Sequence, residues 1–228
     1  MTMKISPEVE RIVNAAGLQL GKNEKGLVLE GSGQLLQADL EKMLPRLRQA
    51  NLEREMLVKA SRVKGVEGTP IAVDATAGFA EDSLLLAAAG FRVILFERDP
   101  VIALLLEDAL ERAKSHEILG PIVERMELHQ EDSIEGLKNL KVVPDIVLLD
   151  PMFPQRQKSA LIKKKFQLLQ QLEKPCEEEA ELLDAAIQAG PRKVVIKRPL
   201  KGPYLAGKKP SHSMEGKAIR YDCIVLPR

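Results

Sequence analysis

Short apolar runs alternate with amphipathic stretches along most of the chain after residue 65. The short runs predict β-strands, and the stretches with apolar positions at helical spacing predict α-helices. The predicted strands cover residues 71 to 75, 92 to 97, 126 to 130, 145 to 150, 193 to 198 and 219 to 226. The predicted helices cover residues 82 to 89, 100 to 115, 134 to 139, 159 to 172 and 177 to 189. This alternation predicts an α/β fold with a mostly parallel sheet and a ligand crevice at the carboxyl ends of its strands.

The first 65 residues have a different pattern, and we expect them to form a small α+β segment beside a main domain of residues 66 to 228. Residues 27 to 33 predict one or two short strands, and residues 35 to 64 have helical spacing with a break near Pro45. This segment could guide a substrate or serve as plain scaffolding.

Composition narrows the class of protein. The chain has 228 residues, of which 45% are hydrophobic, so it can bury a full core. No apolar run approaches the roughly 20 residues needed to span a bilayer, and the polar start lacks a signal peptide's apolar core, so we expect a cytoplasmic protein. Cys176 and Cys223 form no Cys-x-x-Cys pair, and there are only three histidines, so we expect neither a disulfide framework nor a metal site.

Charge is distributed unevenly along the chain. Residues 1 to 150 hold 18 Lys and Arg against 25 Asp and Glu, whereas residues 151 to 228 hold 16 against 8. A basic carboxyl-terminal part suits a substrate with a phosphate backbone. The candidate RNA contacts are Arg156, Lys158, Lys163, Lys164, Lys197, Arg198, Lys217 and Arg220. For the run at 163 to 165, a solvated helix face is the alternative.

A turn of small residues follows the first strand of the main domain and leads into a helix. It begins at Asp74 and contains Thr76 and Gly78, and Glu97 ends the next apolar run 23 residues after Asp74. This arrangement brings backbone amides close to a nucleotide-like cofactor and gives its ribose hydroxyls an acidic partner. The turn has fewer glycines than a pyrophosphate requires, which favours S-adenosylmethionine over a nicotinamide dinucleotide.

A second turn, Asp150-Pro151-Met152-Phe153-Pro154, ends the strand at 145 to 150. The carboxylate of Asp150 and the carbonyl of Pro151 can accept both hydrogens of an exocyclic amine, while Phe153 stacks on the ring that bears it. Asp150 could then take the proton released as the amine is methylated. These three residues are the predicted catalytic group, and they indicate chemistry on a nucleobase that has left its stack.

These motifs, with Glu97-Arg98-Asp99-Pro100, Gln157-Lys158-Ser159-Ala160-Leu161 and Val195-Ile196-Lys197-Arg198-Pro199, resemble those of the 16S ribosomal RNA (guanine-N2) methyltransferases over about residues 60 to 225. The resemblance implies a Rossmann-like class I methyltransferase fold with an antiparallel C-terminal strand, and methylation of one guanine of 16S ribosomal RNA, free or in the small ribosomal subunit. It implies cofactor contacts at Glu81, Asp82, Glu97, Arg98, Asp132, Ser133 and Asp150, in addition to the turn residues Asp74, Thr76 and Gly78. It also leads us to expect glycine at Ala80 and a basic residue at Glu81, from which this chain departs.

Several alternatives remain open at this point. The same acceptor pair would serve the amine of adenine in RNA or DNA, and a methyltransferase fold can also act as a non-catalytic RNA-binding module. Asp74 could do no more than cap its turn, Asp132 and Ser133 could simply begin a helix, and Phe153 could be a core aromatic.

Overall fold

A computed structural model describes residues 5 to 31, 33 to 151 and 178 to 227 of the chain. In these ranges ten strands form two sheets. The strands of the small N-terminal sheet are β1 (Gln19–Asn23), β2 (Gly26–Gly31) and β3 (Gln34–Leu36). The strands of the main sheet are β4 (Ile71–Asp74), β5 (Arg92–Phe96), β6 (Met126–His129), β7 (Ile146–Leu149), β8 (Lys193–Pro199), β9 (His212–Glu215) and β10 (Ile219–Val225).

The main sheet has the strand order β6-β5-β4-β7-β8-β10-β9. Strands β4 to β8 pair in parallel, and β10 runs antiparallel to both β8 and β9. The predicted α/β class, the mostly parallel sheet and the antiparallel C-terminal strand are thereby confirmed. The short edge strand β9 was not predicted, because its residues are mostly polar and exposed.

After residue 65, four of the helices in the described ranges fall close to their predicted positions, and one short helix was not predicted. The α-helices of the described ranges are α1 (Pro7–Ala15), α2 (Leu44–Leu47), α3 (Gln49–Leu52), α4 (Met56–Ala60), α5 (Glu81–Ala88), α6 (Pro100–Ala113), α7 (Gly120–Val123), α8 (Ser133–Lys138) and α9 (Glu179–Gln188). Helix α6 begins where Asp99 accepts hydrogen bonds from the backbone N–H groups of Val101 and Ile102, with proline at its first position. The helix predicted over residues 159 to 172 lies outside the described residues.

Apolar side chains cover both faces of the main sheet. On β7, Ile146 and Leu148 join one buried cluster, while Val147 and Leu149 join the other. Successive strand residues point to opposite faces, so a continuous apolar run produces a strand that is buried on both sides. This burial fixes the positions of the strand ends, where the polar residues begin.

The N-terminal segment packs on one of these faces. Val9, Leu29 and Leu57 belong to the same buried cluster as residues of α5 and α6. The backbone N–H of Leu27 also donates to Asp108 on α6 at 3.0 Å. The segment therefore shares a core with the main sheet, and the division at residue 65 stays a prediction.

Two details of the N-terminal prediction were wrong. Leu35 and Leu36 belong to β3, where Leu35 is exposed and Leu36 buried, as strand alternation requires. The helical spacing begins only with a 3-10 turn at Leu40–Met43, and the chain is extended at Arg48 and Glu55, which separates α2, α3 and α4. None of the described helices is long and apolar enough to cross a membrane.

Candidate functional site

A cavity of about 770 Å³ lies at the carboxyl ends of the parallel strands. It lies beside β4, which has β5 on one side and β7 on the other. This is the place where the strand order of the parallel sheet reverses. Its lining contains every predicted cofactor residue: Asp74, Thr76, Gly78, Glu81, Asp82, Glu97, Arg98, Asp132, Ser133 and Asp150. Pro151, from the predicted catalytic group, also lines it. The fold thus brings the predicted cofactor residues and Pro151 into one cavity.

Asp74 organises the turn between β4 and α5. It is almost fully buried, and its carboxylate accepts hydrogen bonds from the Ser83 hydroxyl and the Thr76 backbone N–H. Burial raises the pKa of Asp74 to about 7, although these hydrogen bonds oppose the rise. Asp74 therefore shapes the turn and also presents a carboxyl group at the cavity wall.

The backbone of this turn adopts the left-handed region at two positions. Gly78 has φ +53°, and the position of a Cβ atom on it meets no other atom within 4 Å, so the backbone here faces open space. Ala80 has φ +56° and directly precedes α5. A non-glycine residue is disfavoured in this conformation, which explains why the motif led us to expect glycine at Ala80.

Glu97 ties the turn to the end of β5. Its carboxylate accepts the backbone N–H groups of Gly78 and Asp99, each at 2.9 Å, and the residue is only 7% exposed. Burial raises the pKa of Glu97, while the two backbone hydrogen bonds lower it. Each carboxylate oxygen keeps acceptor capacity beyond these single bonds, so Glu97 can also receive hydroxyl groups from the cavity.

The end of β6 contributes through the start of α8. Asp132 accepts the backbone N–H of Ile134 at 2.8 Å and is therefore the N-cap of this helix, and it lines the cavity together with Ser133. Asp132 therefore both caps α8 and lines the cavity.

Asp150 lies across β4 from Glu97, at the end of β7. Its carboxylate Oδ2 lies 2.8 Å from the Nζ of Lys197, which also bonds Asp82 Oδ2 at 2.6 Å. The backbone N–H of Asp150 donates to the Thr76 hydroxyl at 2.7 Å, which joins the two turns. Lys197 thus holds two carboxylates of the cavity with one ammonium group.

The pKa values of this group reflect the same contacts. Burial raises the pKa of Asp150, and Lys197 opposes that rise. For Lys197, burial favours the neutral amine, but the nearby carboxylates of Asp82 and Asp150 outweigh it and raise its pKa. Lys197 therefore remains a cation at neutral pH.

Three predicted RNA contacts require correction. Lys197 is engaged inside the cavity by two carboxylates. Arg198 is 1% exposed and donates to the carbonyl of Pro203, and Arg220 is 5% exposed and pairs with Asp222. These buried guanidinium groups support the protein interior and present no surface for RNA. Of the other predicted RNA contacts, Lys217 is exposed, while Arg156, Lys158, Lys163 and Lys164 lie outside the described residues. Phe153, from the predicted catalytic group, also lies outside them.

Sequence patterns missed several residues of the cavity wall, and two of the polar ones are Arg46 and Tyr221. Arg46 reaches it from α2, where Glu55 binds its guanidinium group through two contacts of 2.8 Å. Tyr221 reaches it from β10, directly opposite Lys197 in the strand pairing. Lys197 itself had a usable signal, because it is a charged residue at the carboxyl end of an apolar parallel strand.

The charge of the lining suits S-adenosylmethionine. Among the described lining residues, eight are acidic and three are basic. This excess of carboxylates suits a ligand with a sulfonium and an ammonium group, and it disfavours the pyrophosphate of a dinucleotide. Together with the open backbone at Gly78 and the remaining acceptor capacity of Glu97, it shows that the residues present fit this cofactor. Within the described ranges, no group of three or more His, Cys, Asp or Glu side chains could hold a metal ion.

Comparison with known proteins agrees with this site. The sequence profile of a family described as "Putative SAM-dependent methyltransferase" matches residues 10–226. The "Ribosomal RNA small subunit methyltransferase J" of Marinobacter nauticus is 37% identical over 213 residues, which are 90% of this chain and 77% of the relative. The protein of the same name from Pseudomonas fluorescens is 45% identical over 170 residues, or 74% of this chain, and the chain spans only 65% of that relative's length.

The fold also has a solved counterpart. The crystal structure of a SAM-dependent methyltransferase from Neisseria gonorrhoeae superposes with a TM-score of 0.73 at 27% identity. The match covers 96% of this chain and 92% of the other. The two chains therefore share their architecture over nearly their full lengths.

Proposed function

The chain belongs to the family of small-subunit ribosomal RNA methyltransferases J, and from that premise we propose that it transfers a methyl group from S-adenosylmethionine to the exocyclic N2 of a guanine in 16S ribosomal RNA. The observation that carries the proposal is that one cavity contains two carboxylates, Glu97 and Asp150, which follow strands on opposite sides of β4. Glu97 is placed to bind the ribose, and Asp150 to accept the hydrogens of the amine.

On the β5 side of the cavity, Glu97 accepts the ribose hydroxyls, and Asp132 and Ser133 line the wall beyond it. Gly78 and Thr76 bring the backbone of the turn against the bound molecule. The cofactor supplies an electrophilic methyl group on a positively charged sulfur. The excess of acidic over basic residues in the cavity lining favours such a charge.

On the β7 side, Asp150 and the carbonyl of Pro151 accept the hydrogens of the target amine. The lone pair of an exocyclic amine is delocalised into the base, and two fixed acceptors favour the pyramidal nitrogen in which that pair becomes available. Lys197 bonds Oδ2 of Asp150, whereas no described residue bonds Oδ1. Oδ1 is therefore the atom to which the amine proton passes.

Lys197 keeps Asp150 ionised and fixed in position. A carboxylate that is partly buried beside Asp82 would take up a proton more readily without a neighbouring cation. The ammonium group of Lys197 stabilises the anion and holds it by a bond of 2.8 Å. Lys197 thus favours the ionised form in which Asp150 can act as a base, and general-base catalysis contributes roughly 10² to 10⁴ in rate.

The choice of ribosomal RNA and of guanine N2 has separate support. The names of the relatives indicate small-subunit ribosomal RNA as the substrate class. The acceptor pair alone would also suit the amine of adenine. The choice of guanine N2 therefore rests on the resemblance of the motif around Asp150.

Transfer of labelled methyl groups tests the proposal. The purified protein is incubated with methyl-labelled S-adenosylmethionine and either an unmodified 16S ribosomal RNA transcript or small subunits assembled from it. The RNA is then digested and its nucleosides are separated. We expect the label in N2-methylguanosine.

Other outcomes reject specific parts of the proposal. Label in N6-methyladenosine would replace guanine by adenine as the target. Binding of the RNA without any transfer, by a preparation that also binds the cofactor, would indicate a non-catalytic module.

A further inference from the structure

Residues 200 to 218, named the basic loop, connect β8 to β10 beside the cavity and include the short strand β9. This loop contains four lysines (201, 208, 209 and 217) and one glutamate, Glu215. All four lysines are exposed, and Tyr204 is 40% exposed. The basic loop therefore combines positive charge with an accessible aromatic ring.

Two buried arginines hold the first part of this loop in place. Arg220 donates to the carbonyls of Pro199, Leu200 and Gly202 at 2.8 to 2.9 Å. Arg198 donates to the carbonyl of Pro203 at 2.9 Å. Buried guanidinium groups that satisfy successive carbonyls fix the path of the backbone, so the loop is preorganised.

The aromatic ring of the loop is also held. The guanidinium group of Arg220 lies 5.1 Å from the centre of the Tyr204 ring, within the range of a cation–π contact. Two residues further on, Ala206 has φ +47°, and its backbone N–H contacts the Glu179 carboxylate of α9. A positive φ is disfavoured for alanine, so the conformation at Ala206 requires support from the surrounding structure.

The basic loop adjoins the cavity. Lys197 lines the cavity, and the next residue, Arg198, bonds the loop. Glu178 lines the cavity, and the next residue, Glu179, contacts both Arg198 and Ala206. Ile219 also lines the cavity, and Lys217 lies two positions before it, so the basic loop meets the edge of the site at both of its ends.

We propose that the basic loop is a docking surface for the RNA strand that flanks the target nucleotide. This inference rests on the proposed function. Lys201 and Lys217, at the two ends of the loop, contact the phosphate backbone nearest the target. Lys208 and Lys209 contact it farther along the strand, and Tyr204 stacks against an unpaired base. The arginines that the sequence had suggested as RNA contacts build this surface from within.

Binding to an unmodified 16S ribosomal RNA transcript, measured at several salt concentrations with S-adenosylhomocysteine present, tests the proposal. The triple variant Lys201→Ala, Lys208→Ala, Lys209→Ala should bind more weakly, and its logarithmic salt slope should fall by about 2 to 3. The matched control removes three exposed lysines elsewhere, Lys22→Ala, Lys25→Ala and Lys141→Ala, and should leave the slope near that of the unaltered protein.

A second pair of variants tests the aromatic contact. Tyr204→Ala should weaken RNA binding about 5- to 150-fold with an unchanged salt slope, because it removes a stacking surface and no charge. Tyr204→Phe should retain most of the affinity. Unaltered affinity for S-adenosylhomocysteine verifies that every variant is folded.

The outcomes separate this proposal from the proposed function. Equal slopes for the loop and control triples would overturn the docking surface, even if the protein methylates guanine. A selective effect of the loop triple on binding would support the surface, even if no methyl group were transferred and the proposed function failed.

Discussion

The two sides of the cavity hold their carboxylates by different means. On the glutamate side, Glu97 receives two backbone N–H groups, and Asp132 caps a helix. On the lysine side, Asp82 and Asp150 share the ammonium group of Lys197. Backbone N–H groups therefore hold the carboxylates of the glutamate side, whereas one side-chain cation holds those of the lysine side.

The difference matches the chemistry proposed for each side. Cofactor binding needs acceptors that keep one charge state and one position, and backbone amides supply both. Proton transfer needs a group whose pKa can respond to its surroundings, and the pKa of Asp150 depends on a neighbouring ionisable residue. Substitutions on the two sides should therefore affect different measurements.

The largest effect should come from Asp150→Asn. The amide retains the shape of the side chain but cannot act as the base, so methyl transfer should fall by about 10² to 10⁴. Affinity for S-adenosylhomocysteine, measured by calorimetry, should change little. Asp184→Asn, on the exposed face of α9, is the matched control. Equal transfer rates for the Asp150 variant and the unaltered protein would remove Asp150 from the chemistry.

Glu97→Ala should act on the opposite measurement. The loss of the ribose acceptor should weaken binding of S-adenosylhomocysteine by about 1 to 3 kcal/mol, or 5- to 150-fold. The rate at saturating cofactor should fall much less.

Glu107→Ala, exposed on α6, controls for the Glu97 substitution, and thermal unfolding without ligand detects any loss of the turn that Glu97 supports. Unchanged affinity in a folded Glu97 variant would place the ribose elsewhere.

Lys197→Met should show the dependence of Asp150 on its cation. Loss of the nearby positive charge should raise the pKa of Asp150, because Lys197 is the group that opposes the effect of burial. The carboxylate would then be protonated at a higher pH, so the acid limb of the plot of rate against pH should shift to higher pH. We expect a loss of rate that is greatest on the acid side and shrinks as pH rises.

Lys141→Met, which alters an exposed lysine outside the cavity, should leave the profile in place. If Lys197→Met lowered the rate equally at every pH, Lys197 would have no role in the ionisation of Asp150.

Asp74→Asn should have the smallest effect on methyl transfer, and its clearest signature should be in the pH dependence of stability. The pKa of Asp74 is raised from 3.8 to about 7 in the folded protein, so the folded state binds more protons between these values. The free energy of unfolding should therefore fall as pH rises from about 4 to about 7. The Asp74→Asn variant should lack this pH-dependent contribution to the free energy of unfolding. Its stability relative to the unaltered protein should therefore increase as pH rises from about 4 to about 7.

Urea denaturation without cofactor at pH 5 and pH 8 measures the difference for Asp74→Asn. Identical pH dependence in both proteins would show that Asp74 does not titrate in this range.

The same contrast explains what could be predicted from the sequence. Glu97, Asp132 and Asp150 each follow a strand of the parallel sheet within a few residues, so local pattern and parallel topology suffice to bring them to one edge. The partners of Lys197 lie 115 and 47 positions away in the chain, and only tertiary packing brings them together.

Net charge was an unreliable guide for the arginines. Arg198 and Arg220 contributed to the basic excess that suggested RNA contacts, yet both are buried. Their partners are mainly backbone carbonyls of a loop, and sequence patterns give no sign of such acceptors. Arg46 was missed for a related reason, because the N-terminal segment in which it lies has no motif that links it to the main sheet.

The most direct test of the two-sided cavity is a crystal structure of the protein with S-adenosylhomocysteine. The ribose hydroxyls should lie within hydrogen-bonding distance of the Glu97 carboxylate, with the sulfur facing the space beside Asp150. A ligand bound outside the cavity, or with its ribose against Lys197 and its sulfur toward Asp132, would contradict the assignment of both sides.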